Sequence, residues 1–288
     1  RGIYHYRGSN AEIYLTINDA YVSSGGYVLD CARLGGSGEV VINGGAFISK
    51  KGNNSSPLYG EATLKINGGT FHNWSSSNIA KVTDGHTISM AESDGKYIYT
   101  VISEENAPAD YVASMQTSGK TVYMTAGSDL YAFDNIQSLD KQTIHVAKDV
   151  ACNIPEKFAI GNRNSGETNG SVLKLELEDG VKLTGSVSLY SADVIVKGSG
   201  DTSGFSCVPA NEQFEMTVNG ENGTYSCRMK ADAGGATLVK TDGTKTGYST
   251  VGGAISAADD NPGSVVVMNK NGSSTSTTKL GESVDVTL

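Results

Sequence analysis

The chain has 288 residues and a formal net charge of −9, with 38% hydrophobic and 18% charged residues. This acidic balance argues against nucleic acid and anionic membrane surfaces as partners, because both attract lysine and arginine. No run approaches the ~18 consecutive apolar residues of a membrane span, so we expect no membrane insertion. Glycine is abundant, but five prolines are too few for a disordered Pro/Gly tract.

Three segments near the N-terminus repeat one pattern. Their Ile-Asn pairs begin at residues 17, 42 and 66, so the steps are 25 and 24 residues. A fixed step in this range indicates a solenoid, and the Leu spacing of leucine-rich repeats is missing. Each repeat offers a short β-branched strand, a turn and a second short strand. This order favours a parallel β-helix in which one repeat forms one coil.

Stacked coils predict ladders of equivalent side chains, because successive coils lie at the strand spacing of ~4.8 Å. We expect an inward aliphatic ladder, an asparagine ladder at the turn and an aromatic ladder one corner later. The Gly pairs after Asn43 and Asn67 permit positive φ at the corner. These residues are interpreted as structural, in preference to a polar ligand site of three asparagines. The ladder residues are Ile17, Ile42 and Ile66, then Asn18, Asn43 and Asn67, then Tyr21, Phe47 and Phe71.

The central part of the chain reads differently. Residues 82–101 predict a hairpin with Asp94-Gly95 as its turn. A strand follows at 120–123. Recurrence of Leu130, Phe133 and Ile136 then predicts a short helix over 128–139, capped by Ser128, before a strand at 143–146.

A similar order returns in the last third of the chain. Irregular coils are expected at 172–177, 187–189 and 194–196. A second hairpin then pairs 214–218 with 224–229 through Asn222-Gly223. The helix predicted over 251–260 presents an apolar face and ends at an Asn-Pro-Gly stop, and strands are expected at 264–268 and 283–288. The helix face consists of Val251, Ala254, Ile255 and Ala258.

Together these elements predict an all-β chain. The fold expected is a right-handed parallel β-helix, whose segments are joined by hairpin-containing linkers with short capping helices. The predicted segments are β-helix coils at 1–80, a hairpin linker at 81–127, a second β-helical segment at 128–206, a hairpin linker at 207–247 and the start of a third segment at 248–288.

Two motifs resemble those of multidomain surface proteins of Gram-positive gut bacteria of the clostridial type. One is INGGAF at 42–47 with INGGTF at 66–71. The other runs from GYST at 247–250 through AISAA at 254–258 to the strand at 265–268. The resemblance covers about half the chain. It implies a pectate-lyase-like fold, an extracellular or cell-surface location and a role in adhesion or glycan binding, without a specific ligand.

Motifs for catalysis or cofactor binding are weak. Gly119-Lys120-Thr121 is similar to the end of a P-loop, but it leads into a strand and is interpreted as a turn. Glycosidase carboxylates must converge within ~5–10 Å, and the regular coils stack no acids. Glu176, Glu178 and Asp179 alternate and are interpreted as a solvated face. We therefore predict no catalytic residue, no cofactor and no metal site.

Two small groups of residues remain as candidates. Tyr59, His72 and Trp74 are the clustered aromatic and imidazole side chains outside the ladders, and they form a candidate sugar-stacking site. The alternative, which we favour, is that Trp74 caps the coil stack. Cys207 and Cys227 flank an alternating segment and form a candidate disulfide.

The function expected from the sequence is a non-catalytic adhesin or glycan-binding module. Its partner would be a glycan or a component of a host surface. A stalk that only spaces a distal domain and a host-protein binder are the alternatives. A polysaccharide lyase or glycoside hydrolase ranks last.

Overall fold

The computed structural model describes residues 3–4, 13–25, 28–31, 38–49, 58–60, 63–72, 76–93, 96–269 and 285–287. Strands make up 54% and helices 10% of the described residues, and the chain forms a β-solenoid of stacked parallel coils with few short helices. The all-β solenoid predicted from the repeats is therefore confirmed. The residue step of the Ile-Asn pairs was the signal that identified it.

The secondary structure is dominated by short strands. The strands are β1 (Ile3–Tyr4), β2 (Ile13–Ile17), β3 (Tyr21–Ser24), β4 (Leu29–Cys31), β5 (Gly38–Ile42), β6 (Ala46–Ser49), β7 (Leu58–Gly60), β8 (Thr63–Ile66), β9 (Gly69–His72), β10 (His86–Ser93), β11 (Lys96–Ser103), β12 (Ala113–Thr117), β13 (Lys120–Ala126), β14 (Thr143–Val146), β15 (Val150–Ala151), β16 (Val172–Leu177), β17 (Lys182–Leu189), β18 (Ala192–Gly198), β19 (Asp201–Pro209), β20 (Phe214–Glu221), β21 (Thr224–Met229), β22 (Ala236–Val239), β23 (Lys245–Tyr248), β24 (Val265–Met268) and β25 (Asp285–Thr287). The helices are α1 (Ser76–Ile79) and α2 (Val251–Asp259), with 3₁₀ turns η1 (Glu104–Asn106), η2 (Leu130–Asn135) and η3 (Glu156–Phe158).

The described residues divide into two compact units. Unit 1 draws on residues 1–139, 143–151 and 177–182, and unit 2 on residues 140–142, 152–176 and 183–288. Each unit is described separately below.

Unit 1 begins with three coils of three strands each. Parallel pairing stacks β1, β4 and β7 in one sheet, β2, β5 and β8 in a second, and β3, β6 and β9 in a third. The register places Ile17, Ile42 and Ile66 opposite one another, and all three are buried. The aliphatic ladder predicted from the sequence is confirmed, and a bridge between Ile66 and Val82 adds a fourth level.

The asparagine ladder also forms. Asn43 Nδ2 donates to Asn18 Oδ1, and Asn67 Nδ2 donates to Asn43 Oδ1, each at 2.8 Å. Thr83 continues the ladder, because its hydroxyl donates to Asn67 Oδ1 at 2.6 Å. These amides are occupied by one another, which supports a structural role.

The aromatic ladder needs one correction. Phe47 and Phe71 stack with ring centroids 5.1 Å apart, as predicted. Tyr21, however, pairs with Ala46 and is 75% exposed, while Val22 pairs with Phe47. The reason lies in the spacing: Tyr21 follows Ile17 by four residues, whereas each phenylalanine follows its isoleucine by five. Since strand side chains alternate between faces, this one-residue difference turns Tyr21 outward.

The hairpin predicted at 82–101 is present as β10 and β11, although its Asp94-Gly95 turn lies outside the described residues. Its strands join the sheet of the coils, because β11 pairs antiparallel with β9 and β10 pairs parallel with β13. Within unit 1 the strand order of this sheet is β14-β12-β13-β10-β11-β9-β6-β3.

Two features of the next stretch differ from the sequence prediction. Strand β12 was not predicted from the sequence. Its turn into β13 has positive φ at Ser118 and Gly119, so Gly119 lies in the predicted turn, and Lys120 and Thr121 begin β13. The helix expected over 128–139 is the 3₁₀ turn η2, and its N-cap is Asp129, which accepts from Tyr131 N, not Ser128. The three-residue recurrence of buried side chains is the period of a 3₁₀ helix.

Unit 2 contains the second hairpin and the second helix. Its sheets have the strand orders β20-β21-β18-β16 and β23-β22-β24-β25, and β17 pairs with β19. Asn222 and Gly223 both have positive φ in the predicted turn between β20 and β21. Thr250 caps α2. The predicted apolar face of this helix is present, because Ala254, Ile255 and Ala258 are buried against β22 and β24 and Val251 packs against them.

The candidate disulfide is not formed. Cys207 and Cys227 are both free, buried thiols, and Cys227 Sγ donates to the Leu189 carbonyl oxygen at 3.6 Å. Cys152 is likewise buried.

Candidate functional site

The outward face of the large unit 1 sheet carries a continuous row of hydroxyl groups. Strand register places the row directly across five neighbouring strands, and each member is partly exposed. We call this set the hydroxyl row: Thr70, Thr100, Ser89, Tyr123 and Ser114. In each strand the residues directly before and after a member of the row lie on the opposite, inward face, because strand side chains alternate between faces. The residues two positions away lie on the same face and flank the row.

The row has defined neighbours at both ends. Beyond Thr70 the same register leads to Ala46 and then to the exposed Tyr21. Beyond Ser114 it leads to His145. The Thr70 and Thr100 hydroxyl oxygens lie 3.3 Å apart, so the row is linked by hydrogen bonds at least at this step.

Bulkier side chains stand along one side of the row. Ile48, His72 and Ile98 are opposite one another on β6, β9 and β11, and we call them the apolar wall. All three are partly buried. Burial lowers the pKa of His72, and the charge of Lys96 lowers it further, so His72 is neutral at neutral pH.

An aromatic cluster lies at one end of the hydroxyl row. We use this name for Tyr111, Tyr123 and His145 together with the carboxylate of Glu178. Tyr111 meets Tyr123 edge-on at 5.1 Å between ring centroids, and it lies 6.3 Å from the His145 ring. His145 Nε2 is 2.9 Å from Glu178 Oε1. The cluster therefore presents two phenol rings, an imidazole and a carboxylate at one surface position.

The elements of unit 1 explain how this cluster is held. Tyr123 and His145 project from β13 and β14, which both flank β12. Glu178 follows β16, and its backbone N–H donates to the Val146 carbonyl at 2.9 Å. Burial, with the Glu178 charge second, raises the pKa of Tyr111, so its phenol stays protonated, and its side chain is hydrogen-bonded to Ser114 of the hydroxyl row.

Of the three residues in the candidate sugar-stacking site, only His72 has a described side chain. Tyr59 belongs to β7, in a different sheet from β9, and only its backbone is described. Trp74 lies outside the described residues. The proposed grouping of Tyr59, His72 and Trp74 stays a prediction, whereas His72 itself takes part in the apolar wall.

Sequence reasoning missed the aromatic cluster. Glu178 was placed with Glu176 and Asp179 on one strand face, but β16 ends at Leu177, and Glu178 turns to His145. Alternation in β13 and β14 gives outward positions for Tyr123 and His145. Nothing local in the sequence connects them with Glu178, which is more than thirty residues from His145.

This face offers hydroxyl, phenol, imidazole and carboxylate groups that can form hydrogen bonds. Within the described ranges no three His, Cys, Asp or Glu side chains are grouped so that they could hold a metal ion. No helix in the described part of the chain is long and apolar enough to cross a membrane. Comparisons of the chain with protein-family models, with curated proteins and with solved structures gave no match.

Proposed function

We propose that this chain is a non-catalytic glycan-binding module of a secreted or cell-surface protein, and that it binds sugar at the aromatic cluster. The observation that carries the proposal is the contact of Tyr111 with Tyr123 beside the His145–Glu178 pair. Aromatic faces stack on the apolar faces of pyranose rings. A carboxylate accepts hydrogen bonds from sugar hydroxyls more strongly than a neutral oxygen does.

The flatness of the surface sets the expected affinity. A β-sheet face encloses little of a ligand, whereas tight small-molecule sites are concave and bury most of the ligand surface. A single sugar should therefore bind in the millimolar range, which corresponds to about 4 kcal/mol. Such an affinity suits adhesion, where many copies act together.

The test is a glycan array probed with the wild-type chain and with the Tyr123→Ala variant. We expect the wild type to retain a defined set of glycans and the variant to lose them without a change in melting temperature. Tyr14→Ala is the control, because Tyr14 is an exposed tyrosine on β2, in another sheet from the partly exposed Tyr123.

Three outcomes would count against the proposal. If no glycan is retained, the binding function is wrong and a stalk role is the better interpretation. If Tyr14→Ala abolishes binding and Tyr123→Ala does not, the site is elsewhere. If a retained glycan is cleaved during incubation, the module is an enzyme.

A further inference from the structure

The length and direction of the hydroxyl row point to a more specific ligand, if the proposed function holds. With its neighbours Ala46 and Tyr21 included, the row extends from Tyr21 to Tyr123 across β3, β6, β9, β11, β10 and β13. Six strands at the usual spacing span roughly 24 Å. The row runs at right angles to the strands, because it follows residues directly opposite one another.

The periodicity of the row matches one class of polymer. Each strand contributes one outward side chain to the row at intervals of about 4.8 Å. An extended β-linked pyranose chain advances by a similar distance for each sugar. Coiled α-linked glucans do not keep successive rings on a straight line. A straight row of evenly spaced groups therefore favours an extended chain.

The side chains of the row also restrict the charge of the ligand. Between Tyr21 and Tyr123 lie only Ala46, Thr70, Thr100 and Ser89, and none of them is charged. The neighbouring apolar wall holds His72, which is neutral at neutral pH, and the charge that acts on His72 is that of Lys96, at the start of β11 and outside the row. Hydroxyl groups both donate and accept, so they suit sugar hydroxyls, and they offer no countercharge to a uronic acid or sulfate.

The stretch from Tyr21 to Tyr123 carries an aromatic ring at each end. Tyr21 is 75% exposed at one end, and Tyr123 meets Tyr111 at the other. Rings at both ends can stack on terminal sugars, while the small residues between them do not obstruct a chain that lies along the row. We propose that the site binds a neutral, extended, β-linked oligosaccharide of about five sugars, laid along the row from Tyr123 to Tyr21.

The experiment is a calorimetric titration of the intact chain with oligosaccharides of increasing length. The probes are cello-oligosaccharides, N-acetylated chito-oligosaccharides and β-manno-oligosaccharides, which are neutral and β-1,4-linked. Malto-oligosaccharides serve as coiled controls and oligogalacturonates as charged controls. We expect at least one β-linked series to bind about tenfold tighter as the pentasaccharide than as the disaccharide, with no such gain in the controls.

A blocking variant tests the position of the chain. Thr100→Arg places a long side chain in the middle of the row, on the outward face, where it replaces the hydroxyl that contacts Thr70. In this variant the pentasaccharide should bind no better than the disaccharide, which still reaches the aromatic cluster. Thr16→Arg is the matched control, because Thr16 is exposed on β2 in another sheet and its substitution should leave the gain with length intact.

The results separate this inference from the proposed function. If glycans bind and Tyr123→Ala abolishes binding, but affinity does not rise with length in any β-linked series, the extended-chain inference is wrong and the aromatic cluster stands. A gain with length that survives Thr100→Arg also overturns it. If no glycan binds at all, both proposals fail.

Discussion

Ile42 is the residue on which the coil stack of unit 1 depends most directly. It lies between Ile17 and Ile66 in the aliphatic ladder and is fully buried. Ile42→Asp would place a carboxylate there without a partner, and we expect a loss of more than 4 kcal/mol in the free energy of unfolding. Chemical denaturation followed by circular dichroism measures this loss.

Ile42→Val is the matched control. It removes one methylene from the same position and should cost about 1 kcal/mol. If Ile42→Asp melts at the wild-type temperature, the inward ladder is wrongly assigned.

Asp84 gives the chain a predictable response to acid. Lys120, whose side chain is only 8% exposed, donates from Nζ to Asp84 Oδ1 and to the Thr83 carbonyl, both at 2.9 Å. The hydrogen bond and then the charge of Lys120 lower the pKa of Asp84 below its ordinary value of 3.8. A lowered carboxyl pKa stabilises the fold above pH 3.8, and this contribution is lost as the pH falls through the folded-state pKa.

We therefore expect Asp84→Asn to be less stable than the wild type at pH 7 and to approach it as the pH falls below the ordinary Asp pKa of 3.8. Urea unfolding at a series of pH values measures the difference. Asp260→Asn, at an exposed position at the end of α2, is the control. A difference that stays constant with pH would show that the ion pair does not contribute.

At the scale of elements, two hairpin turns differ in what surrounds them. Gly119 and Gly223 both have positive φ, at +73° and +71°. A Cβ on Gly119 would meet open space, whereas a Cβ on Gly223 would lie 2.2 Å from the Val196 carbonyl oxygen. The second turn is thus pressed against β18, and the Val196 N–H donates to the Gly223 carbonyl at 2.8 Å.

Alanine at these two positions should separate the effect of φ from the effect of packing. Gly119→Ala should cost about 1 kcal/mol, from the left-handed backbone alone. Gly223→Ala should cost at least ~1 kcal/mol more, because the turn must also move away from Val196. Equal losses of unfolding free energy would contradict this close approach.

At the scale of the whole molecule, buried thiols report on folding. Cys152, Cys207 and Cys227 are buried, and burial raises the pKa of the Cys227 thiol to about 11. Since the thiolate is the reactive form, these cysteines should resist thiol reagents at pH 8 in the native state and react in denaturant. A Cys31→Ser background limits the count to these three.

Absorbance of the released chromophore measures this reaction. Rapid reaction in the native state would contradict the burial of the thiols. Only one reactive thiol in denaturant without reductant would show that Cys207 and Cys227 pair after all.

The sequence by itself determined the repeating parts of this protein. The steps between Ile17, Ile42 and Ile66 specify one coil per repeat. The Asn that follows each of these isoleucines, with Gly after it in the second and third repeats, specifies the turn at the corner of the coil. Both hairpins and helix α2 also followed from local signals, because turn residues and apolar periodicity act over a few residues. The Tyr21 error came from reading residue type in place of spacing.

Only the tertiary structure decided the candidate site. The hydroxyl row arises from strand register, and β10 lies between β11 and β13 although β12 separates β10 and β11 from β13 in the sequence. Tyr111, His145 and Glu178 meet because separate strands deliver them to one surface. Local pattern specifies which face of a strand a side chain occupies, but the order of strands depends on how the whole sheet buries its inward face.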